Sequence, residues 1–272
     1  MKVDKKYNPP KFSEVMAQLS LVKLPWKGED WSIGDWGRKH RVNVVKTNRS
    51  KENKVEIFNT FVAALLQVAR TRGRYAERIE LMKEYFQNFS YITEIKTREM
   101  LRENKYPWIS RAINVILESQ RLVQVSSFEW EGYFQESEAN FENGFENDKF
   151  LEINGAGPKG RDFALAQFSL YWCAIDRHLA HILDRTGLIL HGFNGHGFGT
   201  NPSNRRNYKF MQQLVIQFSK ETGWVPGSSE GWSPGAIDAA LWLFGQGICK
   251  SNPECENCPI KNLCLAYRNK GY

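Results

Sequence analysis

Four of the five cysteines of this 272-residue chain lie close together near its C-terminus. Cys249, Cys255, Cys258 and Cys264 follow the spacing C-x5-C-x2-C-x5-C. The segments between them are too short to reach separate sites, so the four thiolates must converge on one centre. Thiolates are soft ligands, and the spacing therefore predicts a metal ion or an iron–sulfur cluster in this tail.

Three kinds of centre are compatible with clustered cysteines. Disulfides are disfavoured, because no apolar signal segment opens the chain and the thiols of cytosolic proteins stay reduced. Zinc sites with four cysteines usually pair two C-x2-C hairpins, and this tail has one. A [4Fe–4S] cluster with four cysteine ligands is the favoured interpretation, although the softness of thiolates alone does not separate iron from zinc.

A glycine-rich turn within residues 150–163 is a second candidate site. An apolar run ends at Gly155 and Gly157, and Lys159 and Gly160 follow before an apolar stretch. Glycines permit a tight turn, and backbone N–H groups at the start of a helix can hold a phosphate. An ordinary turn between two helices is the alternative. The glycine spacing and the Lys-Ser/Thr ending of a P-loop are absent.

Asp176 lies between two apolar stretches, where an aspartate is usually a helix N-cap and less often a catalytic carboxylate. His178 and His181 have the i, i+3 spacing of metal ligands on a helix. A core or surface role is the simpler interpretation, since four cysteines already complete one site. Cys173 has apolar neighbours and is predicted to be a buried thiol.

Together these features resemble the endonuclease III-like branch of the helix-hairpin-helix DNA glycosylase superfamily. The hairpin of that family runs Leu-Pro-Gly-Val-Gly-Arg-Lys-Thr-Ala, and residues 153–161 occupy those places here. The family's Val-Asp-Thr-His motif matches residues 175–178, and its C-x6-C-x2-C-x5-C loop matches with one residue fewer in the first gap. The order of hairpin, aspartate, helix and cysteine loop is kept across residues 150–264.

The resemblance implies an all-α fold of two helical lobes with a helix-hairpin-helix motif and a [4Fe–4S] cluster loop. A six-helix barrel-type domain would span residues 56–170 with its hairpin at 153–161, and residues 1–55 and 171–272 would form the iron–sulfur domain. The spacing of apolar residues, near 3.6, predicts helices over Ile57–Leu66, Ile79–Phe86, Ile109–Leu117, Phe163–Ile175, Tyr208–Phe218 and Ala236–Phe244.

The resemblance also implies a DNA glycosylase that flips a damaged, mismatched or modified base out of double-stranded DNA and excises it. Asp176 would stabilise positive charge on the sugar or activate a nucleophile. Lys159 takes the place of the family's lyase lysine. Its amine would attack C1′ and give AP (β-) lyase activity, provided that its pKa is lowered. The hairpin glycines Gly155, Gly157 and Gly160 would contact DNA.

Two alternatives stay open. A monofunctional glycosylase would use water activated by Asp176, with Lys159 only contacting phosphate, and a non-catalytic iron–sulfur protein would bind DNA without cleaving it. The hairpin departs from the family pattern: Asn154 replaces a proline, Pro158 precedes the lysine, and residues 161–162 are Arg-Asp where the family has small residues.

The formal net charge of +7 agrees with a nucleic-acid partner. Lys250 and Lys261 in the tail, with Arg205 and Arg206 after a Gly-rich loop, are predicted phosphate contacts. Residues 128–148 carry seven acids and no lysine or arginine, and we expect them to face away from phosphate.

The Gly-rich loop of residues 191–206 is predicted to stack Phe193, His196 or Phe198 on a flipped base or on the opposite strand; a surface insertion is the alternative. No window approaches the roughly 20 apolar residues of a membrane span. The sequence therefore predicts no membrane partner and a cytoplasmic monomer, associated with the nucleoid in a prokaryote.

Overall fold

A computed structural model of the chain describes residues 8–67, 75–192 and 201–269. Within those ranges the protein is all-α apart from one antiparallel pair of short strands, β1 (Lys23–Trp26) and β2 (Glu29–Ser32). The predicted all-α class is therefore confirmed. None of the helices in these ranges has the length and apolar character needed to cross a membrane.

The helices are, in chain order, α1 (Phe12–Ser20), α2 (Ile33–Asp35), α3 (Arg41–Arg49), α4 (Lys54–Leu65), α5 (Tyr75–Tyr85), α6 (Glu94–Glu103), α7 (Ile109–Val123), α8 (Trp130–Ala139), α9 (Lys149–Glu152), α10 (Pro158–Ala166), α11 (Arg177–Thr186), α12 (Arg205–Glu221), α13 (Pro234–Gly247) and α14 (Leu265–Arg268). A π-helical turn covers Trp36–His40. Short 3-10 turns cover Phe89–Tyr91, Phe141–Asn143, Leu188–Gly192, Cys255–Asn257 and Lys261–Leu263.

The chain divides into two compact units. One consists of residues 43–174, and the other joins residues 1–42 to residues 175–272. The predicted domain boundaries, 55/56 and 170/171, differ from these and stay a prediction. The hairpin and Lys159 belong to the first unit, whereas Asp176 and the cysteine tail belong to the second.

The core of the 43–174 unit forms around α4, which is buried along nearly its whole length. The ring of Phe61 lies at its centre, 4.7 Å from the ring of Phe150 and 5.2 Å from that of Trp130. Helix α10 packs directly on α4. A helix that is apolar all round needs such cover on every side, and this explains why the surrounding helices are amphipathic.

The other unit has α11, α12 and α13 at its core, and N-terminal elements pack on them. Phe12 of α1 stacks on Phe218 of α12 with ring centroids 4.5 Å apart. The strand pair packs on α13 through Trp26, whose ring centroid lies 4.9 Å from that of Trp242. This packing fixes α13, whose C-terminal end leads into the cysteine tail.

Five of the six predicted helices coincide with observed helices, which are mostly longer and extend up to six residues beyond the predicted ends, but Phe163–Ile175 is wrong beyond Ala166. Helix α10 starts at Pro158, ends at Ala166, and is followed by turns and extended backbone as far as Asp176. Most of the run after Ala166 is buried, with Trp172 1% exposed and Ile175 fully buried. Its apolar character reflects this burial and not the face of a helix.

Candidate active site and cysteine cavity

The turn before α10 is held by side chains of α7. Arg111 donates through Nε and Nη2 to the carbonyl oxygen of Gly155, at 2.9 and 2.8 Å. Asn114, one helical turn further along, donates to the carbonyl oxygen of Asn154 at 2.7 Å. Two consecutive backbone carbonyls therefore point towards α7, so the hairpin has a defined shape without any ligand.

The three hairpin glycines are required for different reasons. Gly155 has a φ of +105°, which side chains rarely adopt. A Cβ on Gly160 would lie 2.3 Å from the carbonyl oxygen of Leu65, so α10 and α4 touch through their backbones there. Gly157 has neither constraint, since nothing lies within 4 Å of its would-be Cβ. Its bare backbone faces open space at the start of a helix, where a phosphate can approach.

Lys159 is the second residue of α10, after Gly157 as N-cap and Pro158 as the first helical residue. Its side chain is half-buried. The amides of the first helical turn have no acceptor within a helix, because the i−4 carbonyl does not exist for them. The lysine and the amides of residues 159 and 160 therefore offer positive charge and hydrogen-bond donors at one helix end.

A buried network of ion pairs and hydrogen bonds holds α10 in place. Arg161 donates to Asp148 at 3.0 Å and to Asp162 at 2.5 Å, and the hydroxyl of Tyr133 donates to Asp148 at 2.9 Å. Arg161 is 2% exposed, and both carboxylates are 1% exposed or less. Burial acts to lower the pKa of Arg161, but Asp162 and Asp148 raise it above its ordinary value, so the guanidinium stays charged.

The acidic stretch of residues 128–148 supplies part of this network and is itself paired inside its unit. Beyond Asp148, which meets Arg161, three of its glutamates meet cations of residues 43–54. Glu129 pairs with Lys54 at 2.8 Å, and Arg49 pairs with Glu131 at 2.6 Å and Glu138 at 3.6 Å. Much of its charge is therefore neutralised locally.

Asp176 is the N-cap of α11. Its Oδ1 accepts from the backbone N–H of Leu179 at 2.9 Å, and its backbone is extended. The cap uses one of the two carboxylate oxygens, and the side chain is half-buried. The helix-capping role foreseen for this aspartate is confirmed, and it leaves one oxygen for another partner.

His178 has a packing role. Its Nε2 lies 3.0 Å from the amide nitrogen of Gln246, and a Cβ on Gly245 would meet the histidine Cβ at 2.8 Å. It thus joins α11 to α13.

Cys173 is 1% exposed, as predicted for a buried thiol. Within residues 8–67, 75–192 and 201–269, no three or more His, Cys, Asp or Glu side chains are arranged to hold a metal ion.

The four tail cysteines line a single cavity at the C-terminal end of α13. The other lining residues are mainly apolar: Arg185, Thr186, Phe244, Ile248, Pro253, Ile260 and Ala266. Burial raises the pKa of the Cys249 thiol, against the opposing effect of Arg185, and burial raises that of Cys258 to about 12. Without a metal these two thiols therefore hold their protons at neutral pH.

This donor set is compatible with an iron–sulfur cluster. A four-iron cluster spreads its four thiolate ligands over the corners of a body larger than one ion, so its cysteines lie around a cavity and not around a point. The four sulfurs here border one cavity with apolar walls. Cluster binding would displace the thiol protons, as metal binding to cysteine generally does.

Arg185 contacts the cysteine tail, although no motif in the sequence predicts this contact. Its guanidinium donates to the carbonyl oxygens of Lys250 and Ser251, at 2.5 and 3.1 Å, and lies 3.6 Å from the sulfur of Cys249. The residue stands at the last turn of α11, 64 positions before Cys249. Nothing in the local sequence distinguishes it from an ordinary basic residue at a helix C-terminus.

The predicted phosphate contacts lie at the surface of the unit that contains the tail. Lys250 is exposed and pairs with Glu254 at 2.7 Å, and Lys261 donates to the carbonyl oxygen of Glu256 at 2.8 Å. Arg205 and Arg206 are exposed in the first turn of α12. Two cations at the positive end of a helix dipole are unfavourable unless an anion neutralises them. The loop residues Phe193, His196 and Phe198 lie outside the described residues.

No family model matches the chain. The chain is 24% identical over 230 residues to the endonuclease III of Thermotoga maritima, an alignment that covers 84% of this chain and 92% of that protein. It also superimposes on the crystal structure of the 8-oxoguanine DNA glycosylase of Thermotoga maritima with a TM-score of 0.56 and 18% identity, over 87% of this chain and 98% of that chain. At 18% identity, the likeness to this crystal structure shows a similar fold and nothing more.

Proposed function

Because the chain belongs to the endonuclease III-like helix-hairpin-helix DNA glycosylase superfamily, we propose that it excises an altered base from double-stranded DNA and then cleaves the abasic strand through Lys159. The observation that carries the proposal is the hairpin. Its turn is held open by Arg111, its first helical turn presents Lys159, and Gly157 leaves the backbone accessible.

The hairpin suits the binding of a DNA phosphate. The free amides at the start of α10 and the positive end of its dipole attract an anion, and the absence of a side chain at Gly157 lets the anion approach. Gly155 and Gly160 act indirectly, by shaping the turn and letting α10 contact α4. Lys250, Lys261, Arg205 and Arg206 would add further phosphate contacts, each of which makes binding more salt-dependent.

Asp176 is proposed to act on the sugar of the flipped nucleotide. When the glycosidic bond breaks, its electrons leave with the base and positive charge develops on the sugar. A carboxylate oxygen stabilises that charge, and the cap leaves Asp176 with one such oxygen. The N-cap geometry also fixes the direction of the side chain at the start of a rigid helix.

Lys159 is proposed to be the nucleophile. Its neutral amine bonds to C1′ as the base departs with the electrons of the glycosidic bond. The C1′–O4′ bond then breaks, O4′ takes up the proton that the amine loses and becomes a hydroxyl, and a Schiff base remains between C1′ and the lysine nitrogen. The resulting iminium makes the C2′ proton acidic, so a base removes it and the C3′–O bond breaks with loss of the 3′ phosphate. Water then hydrolyses the Schiff base and restores the lysine.

For the cysteine cavity we propose a [4Fe–4S] cluster, with Cys249, Cys255, Cys258 and Cys264 each bound to one iron. When bound, the cluster supplies a fixed centre that orders the tail. Excision itself is assigned to the protein's own residues. The support is the donor set: four thiols on the wall of one cavity, with a spacing that resembles the cluster loop of the endonuclease III-like branch.

Borohydride trapping tests the lyase step. The protein is incubated with labelled duplexes that carry an abasic site or one of a panel of altered bases, and is then reduced and separated on a denaturing gel. We expect a covalent band that is lost in Lys159→Ala and kept in Lys149→Ala, an exposed lysine ten residues earlier. Base release without any trapped band would favour the monofunctional enzyme.

A second experiment separates the catalytic role of Asp176 from its capping role. Asn also caps helices, so Asp176→Asn keeps the hydrogen bond to Leu179 but removes the charge. We expect at least about a hundredfold slower base release, as for loss of a general acid–base or charge-stabilising group, with an unchanged melting temperature. Normal base release in this variant would leave the aspartate with the capping role alone.

A further inference from the structure

Arg185 contacts both ends of the cysteine tail. Its guanidinium lies 3.6 Å from the sulfur of Cys249 and donates to the next two carbonyl oxygens, those of Lys250 and Ser251. Its own carbonyl oxygen accepts from the thiol of Cys264 at 3.1 Å. One residue therefore meets the first and the last of the four cysteines.

The helix that ends near Arg185 begins at Asp176. Nine residues separate the two, which at the rise of an α-helix is about 14 Å along a single rigid element. The N-terminal part of that helix is joined to α13 through His178 and Gln246 at 3.0 Å. Helix α13 in turn leads directly into Cys249.

Helix α11 is thus connected at both of its own ends to the C-terminal end of α13 and the residues that follow it. Near Asp176 the connection is the contact between His178 and Gln246, and at the other end it is the contact of Arg185 with residues 249–251. The first of these contacts joins α11 to α13 itself, and the second joins α11 to Cys249 and the two residues that follow it.

We propose that Arg185 is a positioning residue that couples the cysteine centre to Asp176. It donates to the Cys249 thiolate of the loaded centre, and through α11 it keeps Asp176 in place. This proposal rests on the proposed cluster. It gives the shortened first loop of the tail a specific anchor, since Arg185 binds two of the five residues between Cys249 and Cys255.

The test compares full-length wild type with Arg185→Met, Arg185→Lys and Lys250→Met, all reconstituted anaerobically with iron and sulfide. Met keeps the length of the side chain but donates nothing, and Lys keeps the charge without the planar fork. Lys250→Met is the matched control, because it removes a neighbouring charge that pairs with Glu254.

Two readouts are measured. The first is the rate at which the iron–sulfur absorption disappears when a chelator is added, which we expect to be at least about tenfold faster in Arg185→Met, intermediate in Arg185→Lys and unchanged in the control. The second is amide exchange at residues 179–182, next to Asp176. We expect it to be several-fold faster in Arg185→Met and unchanged in Lys250→Met.

The outcomes separate this inference from the proposed cofactor. If wild type gains no iron–sulfur absorption, the cluster is wrong and the inference falls with it. If wild type is loaded but Arg185→Met keeps its absorption and its exchange pattern, the cluster stands and the coupling is overturned. Equal losses in Arg185→Met and Lys250→Met would overturn it too, because any nearby charge would then suffice.

Discussion

The hairpin of residues 153–161 and the cysteine tail of residues 249–264 are ordered in opposite ways. The hairpin is fixed by the protein itself, through Arg111 on its carbonyls, the buried Arg161 network behind it and the backbone contact at Gly160. In the tail, a stretch that the structure describes completely, Ile260 is the one buried side chain.

This difference predicts which of the two regions depends on a bound centre for its order. Burial of apolar surface is the main stabilising contribution in a fold, and one isoleucine cannot order sixteen residues. The tail has hydrogen bonds from Arg185 and two short 3-10 turns, and we expect the proposed cluster to supply its remaining order. The hairpin needs no such help, and we expect it to keep its shape with or without the cluster.

The largest expected effect is loss of order in the cysteine tail. Cys258→Ser should abolish the iron–sulfur absorption and raise amide exchange in residues 249–264 by about a hundredfold or more, since the centre loses a ligand and little burial remains. The hairpin amides should keep their protection. Cys173→Ala, a change at the buried fifth cysteine, is the control and should keep the absorption. Equal exposure of both regions in Cys258→Ser would show that the hairpin also depends on the centre.

The next largest effect should come from removing the buried charge network that supports the hairpin. Arg161→Met leaves Asp148 and Asp162 buried without their cation, and we expect the free energy of unfolding to fall by about 3–5 kcal/mol. Urea denaturation measures the change. Arg98→Met is the control, since its pair with Glu94 is exposed and should contribute less than about 1 kcal/mol. Similar losses in the two variants would contradict the importance of the buried network.

A smaller effect should distinguish two of the hairpin glycines, Gly160 and Gly157. Gly160→Ala places a methyl group 2.3 Å from the carbonyl oxygen of Leu65 and should destabilise the protein by about 1–3 kcal/mol. Gly157→Ala has open space and should change stability by less than about 1 kcal/mol, yet weaken DNA binding because the methyl group stands where a phosphate approaches. Denaturation and a DNA-binding titration together test this pair. The idea fails if Gly157→Ala binds DNA as tightly as wild type.

The smallest effect concerns Asp176, which lies in the chain between the two regions. Asp176→Ala removes the cap of α11 and should lower stability by about 1 kcal/mol, whereas Asp176→Asn should change it by no more than about 0.5 kcal/mol. Thermal denaturation of the two variants checks the difference. A loss as large in the Asn variant would mean that the carboxylate charge, and not the capping hydrogen bond, stabilises the helix.

Much of the architecture could be predicted because it depends on local patterns. The helices over Ile57–Leu66 and Ile109–Leu117 follow from apolar spacing, and the start of α10 follows from Gly157 and Pro158. The end of that helix could not be predicted. Its apolar run continues past Ala166 into a mostly buried, non-helical segment, and periodicity does not distinguish such a segment from a buried helix.

The sequence alone specifies the chemistry that is available: four closely spaced thiols, a lysine in a glycine turn, and an aspartate placed to cap a helix. Only the tertiary structure decided which side chains support that chemistry. Arg185 acts on residues 64 to 66 positions away, and Arg111 acts 44 positions away. Contacts over such distances arise from the packing of whole helices, which no local pattern of residues encodes.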